Sequence, residues 1–68
     1  MIDTVETLIQ AKDADAAEFR ELVEKLGVPD RLENLVFDEG LRVQAANPDR
    51  VHDCIAVIDR LRALRRAS

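Results

Sequence analysis

The sequence predicts an all-α protein, a small bundle of three to four helices ending in a long C-terminal helix, as a single helical domain over residues 1–68. Three observations predict it. Apolar residues recur at three- and four-residue spacing along most of the chain, residues that cap helices punctuate that pattern, and Gly27, Pro29 and Pro48 stand where one helix must stop and another begin.

The first stretch carries Ile2, Val5, Leu8 and Ile9 at helical spacing, then loses its apolar stripe in Ala11-Lys12-Asp13-Ala14-Asp15. A second stripe, Phe19, Leu22, Val23 and Leu26, follows at i, i+3, i+4 and i+7, with Glu21 and Lys25 in the favourable i,i+4 order and Gly27 as a left-handed stop. One bent helix and two short ones both fit this pattern. Asp15 with Glu18 three residues on reads as a capping box, which favours a break near 12–15.

Val28-Pro29-Asp30 is a turn that reopens a helix, since Pro29 cannot continue the previous one and Asp30, with Glu33 completing a second capping box, can cap the next. The run from Pro29 to Val36 resembles Pro48 to Ile55, a likeness that two helix starts need for their punctuation alone. Carried to Ala46, the helix puts Leu32, Leu35, Val36 and Val43 on one face, with Phe37 and Leu41 opposite. Gly40 would cost about 1 kcal/mol in its interior. The alternative is an α+β fold with a β-hairpin at about 35–43, in which Asp38-Glu39-Gly40 is the turn and Leu35, Phe37, Leu41 and Val43 share a face. A lone hairpin is marginal, and both flanks are strongly helical. The expectation is therefore a helix with a break or bend at Gly40.

The last stretch, Asn47 to Arg66, carries every mark of a bounded helix. Asn47 can accept from first-turn amides, Pro48 has no amide to leave unpaired, and Asp49 sits at the positive end of the dipole, with Arg60, Arg62, Arg65 and Arg66 toward the negative end. Val51, Cys54, Ile55, Ile58 and Leu61 form its stripe, and Val57 and Leu64 widen it beyond what a two-stranded seam needs.

A chain of 68 residues buries a modest fraction of its surface. With one cysteine it has no internal disulfide, and no His/Cys constellation offers a metal, so reinforcement falls to tight helix packing or a homodimer. No apolar run approaches a membrane span and the N-terminus lacks a leader pattern, which gives the expectation of a soluble, cytoplasmic protein. The net charge of −4 divides unevenly: residues 1–40 hold eleven acids and four bases, residues 41–68 three acids and six bases.

Candidate chemistry is sparse. Cys54 lies on the apolar stripe between Val51 and Ile55, as a buried small hydrophobe would. His52 lies on the polar side, two positions from Cys54, a spacing that points the two apart and offers no ligand pair. Asp13 and Asp15 imitate a calcium loop, but Glu18 stands where the loop needs Gly and Ala17 where it needs an oxygen. Glu18, Glu21 and Glu24 have no nucleophile to serve, and no phosphate loop, nucleophile elbow or zinc-protease helix occurs. The reading is of a protein with no catalytic residues, no metal and no cofactor.

Composition and pattern together point to a small non-catalytic protein–protein interaction module, an adaptor, antitoxin-like or inhibitor protein of bacterial or phage type that dimerises and binds a larger protein target. The residues expected at its contacts are Phe37, Leu41, Val57, Ile58, Leu61, Leu64 and Arg65. The alternative is a small DNA-binding regulator of winged-helix or helix-turn-helix type. Its recognition element at 30–40 would carry Asp30, Glu33, Asp38 and Glu39 against Arg31 alone, so phosphates would be repelled and nucleic acid is an unfavoured partner.

Overall fold

Asp3 opens the described part of the chain by accepting a 3.1 Å hydrogen bond from the Glu6 amide, and from there four helices follow: α1 Thr4–Gln10, α2 Ala16–Leu26, α3 Pro29–Val43 and α4 Pro48–Ala67. The computed structural model describes residues 3–67, so the expected place of Ile2 in the first stripe lies outside the described residues. No strand occurs among them.

The break between α1 and α2 falls where the stripe is interrupted. Asp15 Oδ1 accepts from the Glu18 amide at 2.9 Å, so the capping signature does restart the helix there. The chain just after α1 is held from a distance in sequence: Arg60 Nη1 donates to the Lys12 carbonyl at 2.8 Å and, more weakly, to that of Ala11 at 3.4 Å, which also accepts from the Ala14 amide. The same guanidinium lies 4.4 Å from the centre of the buried Phe19 ring, so one side chain of α4 ties the α1–α2 loop to the core. Gly27 ends α2 with its amide donating to the Val23 carbonyl at 3.0 Å. Its φ of 146° and ψ of −158° are extended with a positive φ, not the expected left-handed helical pair, and only glycine enters that region readily.

Two expectations for α3 are corrected, and the alternative for it is not found. The cap position is Val28, with no side-chain bond, and Asp30 sits inside the first turn, where its charge favours the helix dipole without capping it. The hairpin at 35–43 does not form, and there is no break at Gly40: the helix runs unbroken from Pro29 to Val43. The reason lies in packing: Gly40 is buried against α4, and a Cβ added to it would stand 3.6 Å from Cys54 Cβ, in ordinary van der Waals contact.

α3 and α4 therefore form an antiparallel hairpin with the most extensive interface in the molecule, and α1 touches each of the other three helices. The pairs run in opposite directions along the two helices: Asp30 faces Arg65, Glu33 faces Arg62 and Gly40 faces Cys54. At the turn, the Asn47 amide donates to the Val43 carbonyl at 2.8 Å, and Asn47 Oδ1 accepts from the Arg50 amide at 3.2 Å, as its place before Pro48 predicts. One face of the hairpin carries Leu32, Val36, Cys54, Val57 and Leu61 into a core completed by Leu8 and Ile9 of α1 and Phe19 and Val23 of α2.

Candidate protein-interaction surface

The two short helices cover only one face of the α3–α4 hairpin. On the other face, Phe37 is 55% exposed, Leu41 53% and Ile55 50%, values far from those of core residues, and all three border one groove. That groove, of about 150 Å³, is lined by Phe37, Gly40, Leu41 and Gln44 of α3 and the chain just beyond it, and by Val51, Cys54, Ile55 and Ile58 of α4. Gly40 contributes no side chain to its lining, and Phe37, Leu41 and Gln44 on one side face Val51, Ile55 and Ile58 on the other.

The residues expected at contacts divide between core and surface. Phe37 and Leu41 line the groove, and Ile58, 8% exposed, forms part of its floor. Val57 and Leu61 are completely buried and belong to the core of the chain itself. Their side chains are covered within the chain itself, in the core that α4 shares with the other helices. Leu64 is half-buried against the same core. Arg65 is exposed but bonded to Asp30, with Glu33 3.5 Å away. Ile55 and Val51, both on the apolar stripe of α4 but not among the residues expected at contacts, complete the groove.

Three arginines of α4, Arg50, Arg62 and Arg65, are turned toward the chain's own acids. Arg62 Nε reaches Glu33 at 3.2 Å, and Arg50 bridges Glu6 at 3.0 Å and Glu39 at 3.2 Å. Hydrogen bonds from Arg42 first, and then from Arg50, hold the Glu39 carboxyl below its ordinary pKa against the opposing effect of burial. The bond to Glu6 is the largest influence raising Arg50. The charge asymmetry of the sequence is thus consumed in part by pairing basic α4 with acidic α1 and α3.

Cys54 is buried beneath the groove, and burial pushes its thiol above the ordinary value, the opposite of an activated nucleophile. His52 is exposed on α4, and no cluster of three His, Cys, Asp or Glu side chains able to hold a metal occurs among the described residues. No described helix is long and apolar enough to cross a membrane. What this arrangement offers chemically is an apolar, largely uncharged groove on a rigid helical hairpin. No family model, curated protein or solved structure matches the chain.

Proposed function

We propose that the protein is a small non-catalytic interaction module of adaptor, antitoxin-like or inhibitor type, which acts by docking against another protein surface through the α3–α4 groove. The observation that carries this reading is the exposure of Phe37, Leu41 and Ile55 together around one groove. Apolar side chains scattered singly over a surface are ordinary, whereas an aromatic and two aliphatic residues converging on one concavity are the usual anchor set of a protein interface.

Capture from the lysate of the source organism tests the proposal, comparing the natural chain with a Phe37→Ser, Leu41→Asp variant of equal helicity. Proteins retained by the natural chain and lost with the variant are the expected result. Retention indifferent to the groove, or tight salt-sensitive retention of DNA, would overturn it.

A further inference from the structure

We draw no further inference here: the strongest candidate, the apolar groove between α3 and α4 bordered by Phe37, Leu41 and Ile55, is an unpartnered face, and nothing in the structure shows what covers it.

Discussion

Gly40 and Cys54 approach so closely that a methyl group added to Gly40 would lie 3.6 Å from Cys54 Cβ, an ordinary van der Waals contact. One methyl therefore fits and a larger group does not. Gly40→Ala should stabilise the protein by about 0.5–1 kcal/mol, since it reduces the freedom of the unfolded chain in a helix interior without displacing α4. Gly40→Leu should destabilise by about 2–3 kcal/mol by forcing the hairpin apart. Urea unfolding followed by circular dichroism measures both.

The division between core and groove makes a paired prediction. Leu61→Asp places an unpaired carboxylate where the leucine is wholly buried, at a cost of more than about 4 kcal/mol, comparable with the entire stability of a chain this size. The variant should be unfolded at 25 °C. Leu41→Asp, on the groove wall, should keep its helical spectrum and change monomer stability by about 0.5 kcal/mol or less.

Arg60 is the long-range tie of the α1–α2 loop, through its bond to the Lys12 carbonyl and its place over Phe19. Arg60→Met keeps much of the aliphatic stem and loses the charge. The expected cost is about 1–2 kcal/mol, with amide hydrogen exchange accelerated in α1 before the α3–α4 hairpin is affected.

Glu39 gives the stability a dependence on acid. Its folded pKa lies below the ordinary value of 4.5, so the unfolded chain takes up its proton first as pH falls. The stabilisation is fully present above about pH 4.5 and is lost progressively as pH falls toward the folded value. Glu39→Gln should be less stable than the natural chain at pH 7, and the difference should narrow by pH 3 in parallel urea titrations.

Cys54 should resist thiol reagents in the native state. Buried and with its pKa raised, it should react with Ellman's reagent at pH 8 at least about 100-fold more slowly than after denaturation. Labelling as fast as that of the unfolded chain would contradict the packing of α3 against α4.

Much of the fold is legible along the chain. The interruption at 11–15, the Asp15 cap and the Asn47-Pro48 start are local statements about which amides and carbonyls find partners, and each appears in the structure where the residues put it. Gly40 was misleading for the complementary reason. Its local propensity disfavours a helix interior, and the gain that offsets this comes from Cys54, fourteen residues away, which no pattern within α3 contains. The same holds for the contact surface. Phe37 and Leu41 are legible as residues on the wrong side of the α3 stripe, but Val57 and Leu61 share a stripe with Ile55 and Ile58, and periodicity does not say which part of a broad stripe the chain itself will cover.

By itself, then, the sequence determined the all-α class and the starts of α2 and α4, because capping, spacing and proline are short-range effects. The tertiary structure alone decided that α3 passes unbroken through Gly40, that Val57 and Leu61 face inward, and that Phe37, Leu41 and Ile55 surround a groove. Those outcomes rest on how closely two helices approach and on which face two short ones cover, and packing between segments distant in sequence sets both.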